Sequence, residues 1–471
     1  MTGFMRIHPW RAALMLSSLM AGVECAFAQL TTRSASGSPA VIRAPRDLKH
    51  TNIVFILADD LGYGDLGCYG QKDIRTPSLD RMAAEGMRFT SFYAGSTVCA
   101  PSRCSLMTGL HTGHARIRGN SPPPTLLADD VTLAELLQPK GYRSGVLGKW
   151  GLATPGSSGE PQKQGFEEWL GQLTNKEAHN HYPEYLYRAD PLGNVSTFSL
   201  PENTGGKRGQ YAHDLYTSAA LRFIGINQDR PFFLYLSCTI PHANNELGQL
   251  TGNGMEVPSD APYSDRTWAQ PDKNKASMIT RMDADVGRVL EKLVECGLDQ
   301  NTVVFFSSDN GPHAEGGARP EVLHSSGPLR GIKRDLYEGG IRVPLIVRWP
   351  GKVKAGSVCN DPWAFWDFLS TACAIAGAEP PKSTDGISFL PTLLGQTQTD
   401  RHEFFYWEFH ERGFQQAVRM GDWKMVRLAT NTPPELYNLK FDLAEKTNVV
   451  AENKDVVARI ETYLKTARAQ P

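Results

Sequence analysis

A thiol, a proline, a serine and an arginine fall within one short run, Cys99-Ala100-Pro101-Ser102-Arg103. The residues from Ser102 to Met107 have helical character and Gly109 ends them. The free N–H groups and positive dipole end of the first turn therefore point back toward Cys99. Such a helix start receives an anion, and Arg103 adds a permanent positive charge. Cys99 reads as a nucleophile position. Two acidic pairs bring a second chemistry: Asp59-Asp60 and Asp309-Asn310 each follow an apolar run directly. Three carboxylates and an amide are hard oxygen donors with no His or Cys among them, a set that suits Ca²⁺ or Mg²⁺ rather than zinc. Lys149, His242 and Lys333 stand in Gly148-Lys149-Trp150, Pro241-His242 and Gly331-Ile332-Lys333. They add two cations and a group able to carry a proton.

Bringing these residues together requires strands whose carboxyl ends share one edge. Residues 52–58 and 302–308 are continuous apolar runs of strand length, as expected of strands buried on both faces. Residues 143–147 and 231–239 read as two more. Helices are expected over 77–86, 132–138, 212–228 and 275–297. Alternation of apolar strands with helices argues an α/β fold with a largely parallel central sheet flanked by helices. In such sheets ligands bind beyond the carboxyl ends of the strands. Residues 155–204, rich in Gly, Pro, Asn and aromatics, are expected to form long loops over the sheet edge, where substrate selection commonly sits. Beyond Thr397 short strands follow at 404–409, 416–420, 424–428 and 436–438, with a closing helix over 456–467. These predict a small C-terminal α+β subdomain containing an antiparallel sheet.

The run from Cys99 to Arg103, continued by Leu106, Thr108 and Gly109, resembles the signature of sulfatases of the arylsulfatase type, within the alkaline phosphatase superfamily. The segment Glu338-Gly339-Gly340-Ile341-Arg342-Val343-Pro344 resembles a further sulfatase block, in which Glu338 and Arg342 read as structural. The resemblance implies that Cys99 becomes Cα-formylglycine through a maturation enzyme that reads Pro101 and Arg103. It implies one divalent cation, usually Ca²⁺ with Mg²⁺ as the alternative, held by Asp59, Asp60, Asp309, Asn310 and the oxygen at position 99. Lys149, Lys333 and Arg103 would then clamp the ester oxygens, Asp309 would take up the proton of the attacking hydroxyl, and His242 or Lys333 would protonate the departing alcohol. The substrate implied is a sulfated carbohydrate or aryl alcohol. Many sulfatases carry His directly after the Lys-Trp pair as the base of the last step; here that position is Gly151. His179 and His181, in Ala178-His179-Asn180-His181, are candidates for that role or for substrate contact, and His313 is a candidate for substrate contact. Two alternatives stand beside this reading: a phosphate or phosphonate ester hydrolase of the same superfamily, and a non-catalytic binder of sulfated glycan.

The whole chain limits the choices further. Its 471 residues are 41% hydrophobic and 21% charged with a formal charge of -1, the composition of a folded globular protein with no basic tail for nucleic acid. Arg6 and Arg11 precede an apolar run at 12–23, and Ala26-Phe27-Ala28 offers small residues for cleavage, so residues 1–28 read as a signal peptide. That run is too short for a stable membrane anchor and Glu24 interrupts it. A secreted or periplasmic protein is expected, with a mobile leader at 29–50, a catalytic domain at 51–395 and the C-terminal subdomain at 396–471. The eight cysteines lack zinc-site spacing and read as scattered thiols with room for one disulfide.

Overall fold

The computed structural model describes residues 50–189 and 193–469. The expected signal segment and residues 29–49 of the leader lie outside the described residues. The central sheet contains β1 (Asn52–Ala58), β2 (Met87–Tyr93), β3 (Arg143–Lys149), β4 (Glu168–Gln172), β5 (Tyr185–Ala189), β6 (Val195–Ser199), β7 (Phe232–Ser237), β8 (Thr302–Ser308), β9 (Arg342–Arg348), β10 (Ser357–Cys359) and β11 (Trp363–Ala364). Their order is β10-β2-β9-β8-β1-β7-β3-β4-β5-β6, with β11 beside β2. From β8 to β4 all neighbours are parallel. The strand β9 runs antiparallel to both β2 and β8, and β5 runs antiparallel to β4 and β6.

The apolar runs 53–58 in β1 and 303–306 in β8 follow from cover on both faces. Ile53, Phe55, Leu57, Val303 and Phe305 face a core shared with α2 (Cys99–Thr108), α3 (Leu133–Leu137) and α7 (Trp366–Ala376). Val54, Ile56, Val304 and Phe306 face a second core formed with α1 (Pro77–Glu85), α4 (Ala212–Ile226) and α6 (Gln270–Glu295). Each such side chain contributes about 1.5–3 kcal/mol on burial, which holds the central strands straight and rigid beneath the site. Short α3 is fixed by a reciprocal cap, Thr132 and Glu135 bonding each other's backbone N–H.

The expectation of loops over 155–204 is corrected: β4, β5 and β6 lie there and extend the sheet. β6 is exposed along most of its length, so it carries Ser and Thr in place of an apolar run and leaves no burial signal in the sequence. Beyond the central sheet, β12 (Phe405–Phe409), β13 (Gln415–Met420), β14 (Trp423–Arg427) and β15 (Glu435–Asn438) form a separate antiparallel sheet. The closing helix α8 (Lys454–Leu464) packs on it through Val456 and Ile460. Trp407 donates its indole N–H to Ala94 O at 2.9 Å. Lys424 reaches across to Glu338 Oε1 at 2.9 Å and to Glu445 Oε1 at 3.0 Å, all three side chains fully buried.

Among the described residues all seven cysteines are free thiols, so no disulfide occurs there. No described helix is long and apolar enough to cross a membrane.

Candidate active site

Register delivers the chemistry. Ala58 pairs with Ser308, and both Leu57 and Gly148 pair with Ser237. Asp309-Asn310, Asp59-Asp60 and Lys149 therefore emerge side by side, with His242 a short way beyond the end of β7. Asp60 has φ of 65°, a left-handed conformation that Asp tolerates better than most residues. It turns the Asp60 N–H onto Asp309 Oδ1 at 3.0 Å and the next N–H, of Leu61, onto Ser308 Oγ at 2.9 Å.

The helix expected from Ser102 starts at Cys99 itself, with Val98 as its cap residue. Pro101 lies in the first turn, where a missing N–H costs nothing, and Ser102 Oγ accepts instead from Gly95 N at 3.1 Å. Cys99 thus sits at the positive end of α2 with its Sγ 3.5 Å from Asp59 Oδ1. Every residue of α2 is buried. Burial pushes the Cys99 thiol well up, against the pull of Lys149 and Lys333.

Cations and carboxylates alternate around this point. Lys149 Nζ lies 2.9 Å from Asp59 Oδ2, and Lys333 Nζ lies 2.8 Å from Asp60 Oδ2. Burial alone would raise Asp59; Lys149, His242, Arg103 and Lys333 outweigh it and hold the carboxyl well below its usual range. The same contest, led by Lys333, lowers Asp60. Asp309 goes the other way: burial and then the neighbouring Asp59 lift it to about 7 in spite of Arg103.

Arg103 departs from the expected clamp on the ester. It is fully buried and donates to Asp309 Oδ2 from both Nε (3.0 Å) and Nη2 (2.7 Å), to Lys149 O at 3.1 Å, and to Ser237 Oγ. It holds Asp309 and the end of β3 in place from behind. His181 and His313 are also behind the site. His181 is fully buried, with Nε2 on His242 O at 2.9 Å and Nδ1 within 3.5 Å of Thr239 Oγ1. His313, equally buried, binds Pro241 O through Nε2 at 3.0 Å and accepts Glu315 N at Nδ1, 2.9 Å. With both ring nitrogens engaged, neither imidazole reaches a substrate.

His242 donates from Nδ1 to Ala243 O at 2.6 Å and turns Nε2 to the Lys333 ammonium at 3.0 Å. Burial and then Lys333 hold His242 well below its usual value, so it is neutral and accepts that bond. Glu315, which sequence reasoning missed, completes the group: its Oε2 lies 3.2 Å from Lys333 Nζ and it also pairs with Arg334. The turn that carries Asp309 also carries Glu315, a proximity visible in the chain but with no pattern to single it out. Asn175 was missed as well. Its side chain occupies the space in front of Gly151, where an added Cβ would stand 2.7 Å from Asn175 Oδ1. Asn175 Nδ2 donates to Asn120 Oδ1, which also accepts Ala100 N at 3.1 Å. His179 lies at the mouth, stacked on the His242 ring with centroids 4.9 Å apart.

The residues fit a divalent cation. Ligand atoms of Asp59, Asp60, Cys99 and His242 fall within 4.8 Å of one another, and His242 is already bound to Lys333, which leaves the oxygen donors. Asn310 donates from Nδ2 to Asp60 Oδ1 at 2.7 Å, and its own Oδ1 is buried without a partner. A buried acceptor of this kind is costly unless something positive meets it.

An anion-receiving helix start, ringed by carboxylates and ammonium groups at the carboxyl edge of a mixed sheet, defines a hydrolase of the alkaline phosphatase-like fold. Comparison with known proteins narrows this. The family model Sulfatase matches residues 51–397, and the model described as N-sulphoglucosamine sulphohydrolase, C-terminal, matches residues 332–470. The chain is 33% identical over 462 residues to arylsulfatase A of Homo sapiens, covering 87% of this chain and 84% of that one. It is 32% identical over 424 residues to N-acetylgalactosamine-6-sulfatase of Canis lupus familiaris, covering 84% and 72%. The crystal structure of Ps i-CgsB in complex with k-i-k-neocarrahexaose superposes with a TM-score of 0.74 at 28% identity, over 90% of this chain and 94% of that one. The chain belongs to the sulfatase family and is a sulfuric ester hydrolase.

Proposed function

We propose that this enzyme removes sulfate from a carbohydrate, using a formylglycine made from Cys99 and a Ca²⁺ ion held by Asp59, Asp60, Asp309 and Asn310. The single observation that carries the reading is the placement of Cys99 Sγ 3.5 Å from Asp59 Oδ1, at a helix start, with ligand atoms of Asp59, Asp60 and Cys99 within 4.8 Å of one another. When present, the cation and the aldehyde hydrate at position 99 supply charge neutralisation and the attacking oxygen. The protein does the rest. Lys149 and Lys333 hold the non-bridging ester oxygens, fixed in position by their aspartates, so charge stabilisation needs no reorganisation. Asp309 takes up the proton of the attacking hydroxyl. The Lys333–His242 pair passes a proton to the departing alcohol oxygen. The chemistry belongs to residues 51–395, with residues 396–471 buttressing them.

Carbohydrate as the substrate is supported by the relatives, one named for an N-acetylgalactosamine sulfate and one crystallised with a neocarrahexaose. A groove of about 600 Å³ beside the site, bordered by Tyr185, Tyr187 and Leu250, suits a sugar ring. The N-terminal charge and apolar pattern supports export to the periplasm or beyond.

The test is mass spectrometry of the Cys99 peptide from protein made with a formylglycine-generating enzyme, followed by sulfate release from sulfated galactosamine. An aldehyde at position 99 with sulfate release is expected. An unaltered thiol in a protein that still turns over would overturn the reading.

A further inference from the structure

Restoring the aldehyde at the end of the cycle requires a proton acceptor, and four histidines gather at this edge. His181 and His313 have both ring nitrogens engaged. His242 has Nδ1 on Ala243 O and Nε2 on Lys333. Gly151 brings no side chain, and the space in front of it is filled by Asn175, whose amide is no base. His179 differs from all of these. Its Nδ1 lies 3.0 Å from Glu246 Oε2, its ring stacks on His242 at an interplanar angle of 13°, and its side chain keeps 17% exposure at the mouth.

Resting on the sulfatase reading above, we propose that His179, oriented by Glu246, is the base that takes the last proton from position 99 as sulfate departs. The Nδ1–carboxylate bond fixes the tautomer and makes Nε2 the accepting nitrogen, on a ring stacked against His242, whose ligand atom lies within 4.8 Å of that of Cys99. Nε2 removes the proton of the hydroxyl remaining on the side-chain carbon of residue 99. The O–H electron pair closes the carbonyl, the C–O bond to sulfate breaks, and its pair leaves on sulfate. Water later rehydrates the aldehyde, so atoms and charge balance without another reactant.

The electrostatic surroundings agree. The two ammonium groups that act most on the Cys99 thiol, Lys149 and Lys333, also act on His179, opposed by Glu246. Burial and then Lys149 hold the imidazole below its ordinary value, so it is an unprotonated acceptor at neutral pH. Glu246 stands on α5 (Asn245–Thr251) with its own carboxyl lowered: burial raises it, and backbone N–H, His179 and Lys176 outweigh that.

The test uses the full chain in two forms. In formylglycine-bearing His179→Asn with para-nitrophenyl sulfate, one equivalent of nitrophenol is expected, followed by a steady rate lowered by about 10²–10⁴-fold. The protein is expected to retain the mass of one SO₃. Glu246→Gln removes the supporting charge, so the rise of kcat with pH is expected to move to lower pH. In protein that keeps Cys99 as a thiol, inorganic sulfate is expected to shift the His179 imidazole resonances in NMR and raise its pKa. Unchanged steady turnover in His179→Asn, loss of the first equivalent, or silence of the His179 resonance toward sulfate would each overturn the assignment. Wild-type protein that releases no nitrophenol would instead overturn the sulfatase mechanism on which it rests.

Discussion

Replacing Lys424 with Met strips the sole ammonium from a pair of buried carboxylates that join the two sheets. Lys424 Nζ contacts Glu338 Oε1 and Glu445 Oε1 at 2.9 and 3.0 Å, with no exposure at any of the three side chains. Glu338 keeps a second partner in Arg342 at 3.0 Å. Burial raises Glu338, but Lys424, Arg342 and Arg419 together hold it at about 2. Glu445 has no such reserve; burial lifts it to about 7 against Lys424, with Glu338 adding to the rise. Breaking a buried pair from one side costs roughly 3–5 kcal/mol, because the remaining charge stays dry and unmatched. With an unfolding entropy of about 2.1 cal/mol/K per residue, a unit of this size loses about 3–6 °C in Tm. The sign with pH follows from proton binding. A carboxyl raised above its unfolded value of 4.5 binds extra protons in the fold, so stability falls as pH climbs from that value through about 7. Removing Lys424 raises Glu445 further, so the deficit of Lys424→Met widens from about pH 5 to about pH 8. Calorimetry at the two pH values is the assay. A deficit that is the same at both, or a melting point within about 1 °C of wild type at the higher pH, would refute the reasoning.

Other expectations concern the site. Asn310→Ala removes the orphaned carbonyl oxygen and is expected to weaken the proposed Ca²⁺ binding at least about tenfold, near 1.4 kcal/mol, by isothermal titration. Asp309→Ala strands the buried Arg103 as well as losing a donor, so metal retention, turnover and thermal stability are expected to fall together; a variant that keeps metal and turnover would misplace the metal corner. Lys333→Ala loses an ester-oxygen contact and is expected to slow both esters, an alkyl sulfate by about 10²–10⁴-fold more than a nitrophenyl sulfate, because only the poor leaving group needs its proton; equal losses on both would assign Lys333 to binding alone. Gly151→Ala adds a side chain at φ of 75°, 2.7 Å from Asn175 Oδ1. A loss of about 1 kcal/mol in urea unfolding is expected, with a displaced Asn175.

Much of this centre was legible in the chain because burial writes itself into sequence. β1 and β8 are buried at every position and carry the apolar runs 53–58 and 303–306 since both their faces are covered, and the acidic residues that follow them mark the sheet edge. The strands β5 and β6 left no such mark, being partly solvated. The helix expected from Ser102 begins three residues earlier because Pro101 is tolerated in a first turn. Roles that depend on distant partners were illegible. Nothing local tells that Arg103 is taken up by Asp309, that His313 is engaged on both nitrogens, or that Asn175 fills the place in front of Gly151.

The seal around α2 carries a consequence for how the protein is made. Asp309, which caps the guanidinium of Arg103, is synthesised 206 residues after it. In the fold the thiol and its flanking proline and arginine are closed off from solvent, so a catalyst that acts on them needs the chain before this closure. If Cys99 is converted as proposed above, the conversion has to precede this closure, and a molecule that folds ahead of it keeps the buried thiol.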